Sequence, residues 1–336
     1  MPAHVLLNPA ARGGRNRHLL VPLQRALARV GLDAEVTETA GPGEAERLAR
    51  DAGRAGRLVV AAGGDGTVHE VVNGLAGTDG TLAVLPLGTG NDYAHALGVP
   101  DGLDAALAAL MRAPVRAVDL GRISWTDAGG KRQSRAFANC VGIGFDAHAA
   151  ALAAETKWIG GRAAYFAAVL RTLWTWRRPG PSVRVQTRAL ADAAGVAASG
   201  SSVGLLPDGP DAGAIDFEGP LFLCEIGNGH SIGGGFLITP DALPDDGLLD
   251  VCLVPHLAPR RALQLMPQTF SGGHTGAPEV TMARTRSLTL SIASASAARG
   301  VGVQADGETL TYDAVEVAVE IEPGALSVQA PAPDLG

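Results

Sequence analysis

The stretch RLVVAAGGDGTVHEVVNGLAG (57–77) determines the fold class that the sequence predicts. Residues 57–62 read as a buried strand, three glycines follow in a tight turn, and 68–77 have helical spacing. This succession is typical of parallel α/β sheets, in which helix N-termini at the carboxyl ends of the strands bind anions. We expect Thr67 to cap a helix that begins at Val68.

The same alternation extends to both sides of this stretch, and a different pattern follows it. Strands are predicted at 4–9, 33–40 and 81–92, and helices at 19–31, 43–53 and 104–112. From about residue 181 onward, short β-branched segments alternate with Gly, Pro and Asp turns, as in an antiparallel sandwich.

Two domains follow from this change of pattern. The predicted fold class is α/β plus all-β: a doubly wound nucleotide-binding domain over 1–122, then an antiparallel β-sandwich over 123–329. The last strands of the sandwich are free to return to the first domain. Residues 330–336 are expected to form a frayed tail, and the Ala/Gly/Ser-rich residues 189–215 a mobile loop.

Composition narrows the function classes. A net charge of −7 argues against nucleic acid as a partner. Cys140, Cys224 and Cys252 are scattered without a CxxC pair, which favours a reducing compartment over a zinc or disulfide framework. Without an apolar window of about 20 residues, a membrane span is not expected. We therefore expect a cytoplasmic protein.

Asp65 lies among the turn glycines, with no lysine close by. The turn is not a dinucleotide fingerprint because His69 replaces its last glycine, and the chain has no Walker G-K-[ST]. A carboxylate beside a phosphate needs a cation, and Mg²⁺ binds through one or two carboxylates together with phosphates. Asp92 and Asp119 lie after the next strand and helix, so the three side chains could gather at one sheet edge. The alternative is that these residues make only turns and helix caps.

Seven sequence blocks resemble, in chain order, the superfamily of soluble diacylglycerol, sphingosine and ceramide kinases, and most of all its bacterial lipid kinases. These blocks are NPAARGG, GGDGTVHEVVNGL, LPLGTGNDYAHALG, VGIGFDA, GNGHSIGGG, PDDGLLDV and ADGE, within residues 4–329. The resemblance implies a phosphofructokinase/NAD-kinase-like first domain and ATP-dependent phosphorylation of a lipid hydroxyl in the cleft between the domains.

The same resemblance implies roles for individual residues. The residues that would hold the nucleotide are Asn8, Thr39, Gly64, Asp65, Gly66, Thr67 and Thr89. Those that would surround Mg²⁺ through water are Asp65, Asp92 and Asp119. Asp306, in ADGE, would be the general base on the substrate hydroxyl. A second, structural site for Mg²⁺ or Ca²⁺ would use Leu243, Asp246 and Leu248. From the residues alone, DGE is a hairpin turn, and 242–250 is an acidic turn.

Residues 157–188 form a basic segment without acidic side chains. Its basic residues are Lys157, Arg162, Arg171, Arg177, Arg178, Arg184 and Arg188, and its tryptophans are Trp158, Trp174 and Trp176. Helical spacing puts Ile159, Phe166, Leu170 and Leu173 on one face. Such a helix could lie on an anionic membrane or pack on the sandwich with its arginines solvated, and the two interpretations are compatible.

The function predicted from the sequence is an ATP- and Mg²⁺-dependent lipid kinase, acting on a diacylglycerol-like lipid at the membrane surface. An NAD kinase-like small-molecule kinase and a catalytically silent lipid- or nucleotide-binding protein are the alternatives, and GTGND and GNGHSIGGG favour the lipid branch. A homodimer is one candidate assembly. The spacing of His69, His95, His148, His230 and His274 gives no metal triad, so capping or core hydrogen bonds are expected of them.

Overall fold

The computed structural model describes residues 2–155, 161–175, 180–187, 204–205, 214–292 and 300–331. The loop predicted at 189–215 therefore lies outside the described residues except at 204–205 and 214–215. Of the predicted tail, only residues 330–331 are described.

The N-terminal part of the chain forms a parallel sheet. Its strands, hydrogen-bonded in the order β2-β1-β3-β4, are β1 (Ala3–Leu7), β2 (Ala34–Glu38), β3 (Leu58–Gly63) and β4 (Thr81–Pro86). The helices are α1 (Ala11–Gly14), α2 (Leu20–Val30), α3 (Glu44–Arg54), α4 (Asp65–Leu75), α5 (Asp92–Ala96) and α6 (Leu103–Leu110). Strands β1, β3 and β4 are buried along almost their whole length, as expected for a parallel sheet covered by helices.

The C-terminal part is rich in antiparallel β-structure. Its strands are β5 (Val115–Asp127), β6 (Arg132–Phe137), β7 (Cys140–Gly144), β8 (Ser182–Thr187), β9 (Gly204–Leu205), β10 (Ile215–Gly227), β11 (Leu249–Pro255), β12 (Thr281–Thr285), β13 (Ser287–Ile292), β14 (Val301–Ala305) and β15 (Glu308–Gln329). Its helices are α7 (Phe145–Glu155), α8 (Gly161–Thr175) and α9 (Pro259–Leu265). The prediction of an α/β part followed by a β-rich part is confirmed.

Two long strands join the layers of the β-rich part. β10 pairs with β7 through its second half and with β8 through its first half, because the strand is 13 residues long. β15 pairs in turn with β14 and β13, so hydrogen bonds close a ring β10-β7-β14-β15-β13-β8. A separate apolar core fills this ring, with Ile143, Val185, Leu290 and Val317 among its buried side chains.

β15 also reaches the N-terminal sheet. Its end pairs in parallel with β4, with Ser327 opposite Thr81 and Val328 opposite Leu82. Because β15 begins directly after Asp306 and Gly307, one strand connects that turn to the sheet carrying the glycine turns.

One local expectation is wrong: helix α4 begins at Asp65 rather than Val68, so Thr67 lies within its first turn and does not cap it. On α8, Phe166, Leu170 and Leu173 have the spacing of one helical face, and Phe166 and Leu170 are exposed while Leu173 is buried. Ile159 lies outside the described residues. No helix in the described part of the chain is long and apolar enough to cross a membrane.

Candidate active site

A cleft of about 1900 Å³ runs along the carboxyl ends of β1, β3 and β4 and is closed on its other side by the β-rich part. The predicted site residues that line it are Asn8, Thr39, Gly64, Asp65, Gly66, Thr67, Thr89, Asp92 and Asp306. Asp119, Leu243, Asp246 and Leu248 do not line it.

The two glycine turns pack against each other by their backbones. A Cβ added to Gly88 would overlap the Cα of Gly64, and one added to Gly64 would lie 3.1 Å from the Cα of Gly88. Glycine is needed here because any side chain would separate the turns. The amide groups at the start of α4 are therefore left facing open cleft, in the position from which a helix N-terminus binds phosphate.

Asp65 and Asp92 face each other across Gly90. A Cβ added to Gly90 would lie 2.7 Å from Asp65 Oδ2 and 3.1 Å from Asp92 Oδ2. The Asn91 amide donates to Asp65 Oδ2 at 2.9 Å. Burial, together with the negative charge of Asp92, raises the pKa of Asp65 to about 6. A divalent cation would relieve this repulsion, so the residues present fit the expected metal.

Asp92 is oriented by a loop of the β-rich part. Its Oδ2 accepts from the Gly234 amide at 2.8 Å, and its Oδ1 accepts from the Gly235 amide at 3.0 Å and the Ser231 hydroxyl at 3.1 Å. These three residues belong to the block GNGHSIGGG. The block therefore positions a carboxylate of the N-terminal half.

Asp119 is held away from the Asp65–Asp92 pair. Its carboxylate accepts from the amide of Gly247 at 2.6 Å and from that of Gly324 at 2.8 Å. Of the three carboxylates expected to gather, the structure therefore brings two together. The third ties the 243–248 loop to β15.

The loop with the expected second metal site is already ion-paired. Asp246 and Asp250 share the Arg284 guanidinium, with Arg284 Nε at 3.3 Å from Asp250 Oδ2. Asp246 Oδ1 also accepts from the Leu248 amide at 3.0 Å. Burial raises the pKa of Asp246, and Arg284 opposes this. A cation bound by Leu243, Asp246 and Leu248 would have to compete with Arg284.

Small side chains cross-link the N-terminal side of the cleft. Asn8 Nδ2 donates to Thr67 Oγ1 at 2.9 Å, which joins the end of β1 to the first turn of α4. Asn8 Oδ1 accepts from the Ala10 amide at 2.9 Å. Thr39 Oγ1 lies 3.5 Å from the Leu7 carbonyl oxygen, its acceptor. These contacts hold three segments that end at the same edge of the sheet.

Asp306 lines the same cleft from the β-rich part and is buried, in the left-handed conformation with φ of 50°. Its Oδ1 accepts from the amides of Asn139 at 2.8 Å and Cys140 at 3.0 Å. Its Oδ2 accepts from the Ala138 amide at 3.0 Å and lies 2.9 Å from His69 Nδ1. The carboxylate that the sequence singled out thus lies in the same cleft as Asp65 and is fixed by donors on both oxygens.

Sequence reasoning missed several cleft residues. Arg12, Arg15 and Arg17 line the nucleotide side, and together they supply the positive charge that the missing lysine left unexplained. The run ARGGRNR directly after a strand was a usable signal. His69, weighed as a core histidine, also lines the cleft; its place four residues after Asp65 puts the two on one helix face.

An apolar cavity of about 100 Å³ adjoins the cleft. Its walls include Phe145, Val169, Leu173, Phe222, Phe236, Leu257, Leu265 and Met266. Asp146 and Ile232 line both the cavity and the cleft, so the two spaces meet there. Gln304 Nε2 donates to Asp146 Oδ2 at 2.7 Å.

Comparison with known proteins covers almost the whole chain. Residues 2–123 match the family model described as diacylglycerol kinase catalytic domain. Residues 139–330 match the model described as YegS C-terminal NAD kinase beta sandwich-like domain. The fit of two successive models reproduces the change of pattern along the sequence.

Individual relatives agree with the family models. A probable lipid kinase YegS-like of Pseudomonas syringae pv. syringae is 34% identical over 90% of this chain and 85% of its own length. A diacylglycerol kinase of Mycobacterium tuberculosis is 32% identical over 68% of this chain and 65% of its own length. A crystal structure of a putative diacylglycerol kinase from Bacillus anthracis has a TM-score of 0.69 at 23% identity, covering 98% of this chain and 97% of that one, and so shares the fold.

Proposed function

The chain belongs to the family of YegS-like bacterial lipid kinases and is a phosphotransferase with an alcohol group as acceptor; from this premise we propose its reaction and substrate. It transfers the γ-phosphoryl group of ATP to a hydroxyl of a diacylglycerol-like lipid, in a Mg²⁺-dependent reaction with Asp306 as general base. We also propose that the first half is doubly wound and that the domains divide at residue 122. The parallel pairing of β1 to β4 supports the doubly wound topology.

The junction of the cleft with the apolar cavity is the observation that carries the proposal. The glycine turns and Asp306 line one cleft. The cavity has almost entirely apolar walls and shares Asp146 and Ile232 with the cleft. A substrate that fills both spaces has an apolar chain and a hydroxyl, which describes a lipid alcohol better than a nucleotide acceptor such as NAD⁺.

ATP would be held at the nucleotide wall. The α4 amide groups and the side chains of Arg12, Arg15 and Arg17 face its phosphates. Asp65 and Asp92 would hold Mg²⁺, which neutralises charge on the phosphates when bound. Positioning and charge stabilisation supply most of the catalysis in phosphoryl transfer. The residues that hold ATP and Mg²⁺ would therefore make the larger contribution to the rate.

Asp306 accepts the proton of the lipid hydroxyl as the hydroxyl oxygen bonds to the γ-phosphorus and the bond to the β-phosphate oxygen breaks, which releases ADP. The amides of residues 138–140 fix the orientation of this carboxylate in the cleft before the substrate arrives. The same amides stabilise its position while the proton is transferred.

Peripheral membrane association is part of the proposal, because one face of α8 is unusually apolar. Phe166, Leu170 and Trp174 follow one another at four-residue intervals and are 37%, 38% and 75% exposed. Val169 and Leu173, on the adjacent side of α8, line the apolar cavity. A lipid could therefore pass from a bilayer under this helix into the cavity. Much of the basic segment predicted to assist, including Lys157, Trp158, Trp176, Arg177, Arg178 and Arg188, lies outside the described residues.

The membrane contact is tested by flotation with vesicles of phosphatidylglycerol and of phosphatidylcholine. A variant with Leu170→Ser and Trp174→Ser should lose flotation, while Val21→Ser, at a remote apolar position that is 50% exposed, should keep it. Equal flotation of the two variants would remove α8 from the proposal. Light scattering on the same preparation tests the homodimer considered from the sequence.

The reaction is tested by incubating the protein with radiolabelled ATP and a panel of diacylglycerol, monoacylglycerol, sphingoid base, phosphatidylglycerol and NAD⁺. We expect label in the diacylglycerol product, dependent on Mg²⁺. Label in NAD⁺ alone would favour the small-molecule kinase. Nucleotide binding without transfer to any acceptor would favour a silent binding protein.

A further inference from the structure

Asp306 is fixed from two different parts of the fold. Three of its hydrogen-bond donors are amides of residues 138–140, in the connection between β6 and β7. The fourth donor is His69, which lies on α4 in the N-terminal half. Both oxygens of the carboxylate are therefore held by donors. Among the described residues, His69 is the donor to this carboxylate that comes from the nucleotide side.

The partners of His69 assign its tautomer. Its Nε2 faces the Nε–H of Arg135 at 3.3 Å and the amide nitrogen of Asn73 at 3.4 Å, and both groups can only donate. Nε2 is therefore the acceptor, and the ring proton resides on Nδ1, where it is donated to Asp306 Oδ2 at 2.9 Å. The ring can serve this bond without being charged.

Arg135 is itself held in place. It pairs with Glu46 on α3 at 2.6 Å, and Glu46 also accepts from Arg50 at 2.6 Å. Burial opposes ionisation of Glu46, but the hydrogen bonds from Arg50 and Arg135 lower its pKa. The result is a continuous chain from Glu46 through Arg135 and His69 to Asp306. Other titratable groups near Asp306 are Tyr93 and Cys140, both buried.

We propose that His69 is a positioning residue that fixes the position of Asp306 relative to Asp65, the carboxylate on the metal side. His69 and Asp65 are four positions apart on α4, about 6 Å along the helix axis. One turn of α4 thus carries both the carboxylate that would bind the metal and the histidine that orients Asp306. Any shift of α4 moves both side chains together, so the distance between Asp65 and Asp306, across which the phosphoryl group would be transferred, stays constant. This inference rests on the proposed role of Asp306.

A core histidine that only contributes to stability is the competing interpretation, and kinetics separate the two. Loss of the Nδ1 donor lets the carboxylate turn, and a misplacement on the order of 1 Å costs about 100-fold in rate. We therefore expect His69→Ala to lower kcat by about 10- to 100-fold while KM for ATP changes by less than about twofold. His69→Asn keeps a donor near the same place and should recover kcat to within about fivefold of the wild type.

His4→Ala is the matched control. His4 is also buried and also hydrogen-bonded to a side chain, at 2.9 Å from Thr37 Oγ1, but it lies outside the cleft. Its variant should lose thermal stability and keep kcat per folded molecule. Normal kcat in His69→Ala, or a His69→Asn variant as slow as His69→Ala, would overturn the inference. A KM for ATP that rises as kcat falls would do the same.

A second measurement does not depend on lipid kinase activity. Side-chain ¹H–¹⁵N spectra of the wild-type protein report the histidine tautomers, with the His69 signal assigned from its absence in His69→Ala. We expect the proton on Nδ1. A proton on Nε2 would end the inference even in an active lipid kinase. Absence of phosphorylation of every lipid would instead refute the proposed function and leave the tautomer as the test of the geometry.

Discussion

Replacing Asp306 by asparagine removes a carboxylate oxygen from a site where both oxygens are used. If the amide nitrogen took the place of Oδ1, it would face the amides of Asn139 and Cys140, two donors that cannot adapt. If it took the place of Oδ2, it would face one fixed donor, Ala138, and the ring of His69. The second orientation is favoured because a histidine can exchange its tautomer.

That exchange has a consequence at the other ring nitrogen. With its proton moved to Nε2, His69 would confront the Nε–H of Arg135. Three donors are therefore left unpaired, the amide of Ala138 and the two facing N–H groups of His69 and Arg135, at about 1–3 kcal/mol each. We expect Asp306→Asn to lower the free energy of unfolding by roughly 3–9 kcal/mol. Native proteins have free energies of unfolding of about 5–15 kcal/mol, so this loss takes a large part of the stability. The variant is therefore studied at low temperature.

The kinetic effect should be larger than the structural one. An asparagine cannot accept the hydroxyl proton, so kcat for the lipid should fall by about 10²–10⁴-fold per folded molecule. The affinity for ATP, measured by calorimetry, should change by less than about twofold because the proposed contact of Asp306 is with the lipid hydroxyl and not with the nucleotide. Folded fraction is measured by circular dichroism in the same sample. Turnover near the wild-type value at full folding would refute the role of Asp306 as base.

Three other perturbations follow from the geometry. Gly88→Ala should abolish ATP binding because its Cβ overlaps the facing turn, while Gly276→Ala, where a Cβ meets no atom within 4 Å, should bind normally in the same titration. Because the pKa of Asp65 is raised to about 6, its ionised form destabilises the metal-free protein as pH rises through that value. Asp65→Asn should therefore raise Tm at pH 7.5 but not at pH 4. The same variant should lose the increase in Tm that Mg²⁺ with ATP gives the wild type. Arg284→Met frees Asp246, so Ca²⁺ without nucleotide should raise Tm in this variant more than in the wild type; an equal response would dismiss competition at the second metal site.

The order of strands and helices could be predicted because each N-terminal element carries its own local signal. The strand at 57–62 and the glycines after it are enough to place the phosphate-binding edge. The start of α4 was misjudged by three residues because Thr67 is a good capping residue in isolation. In the fold, its hydroxyl is instead used by Asn8, which is 59 residues away.

The failures at the site have the same origin. Asp119 lies within β5 rather than after a strand as Asp92 does, and its carboxylate is bound by the amides of Gly247 and Gly324, which are far along the chain. Likewise, nothing near Asp246 in the sequence indicates Arg284 as its partner. Local pattern identifies which residue types a site uses, whereas long-range hydrogen bonds decide which of them meet.

The 22-residue strand β15 has a mechanical consequence. It begins at the turn that bears Asp306 and ends alongside β4, so one continuous strand is hydrogen-bonded to both halves. Neither half can melt without exposing an edge of the other. Calorimetry should accordingly record one transition, and a protease that cuts between the halves should release no stable fragment.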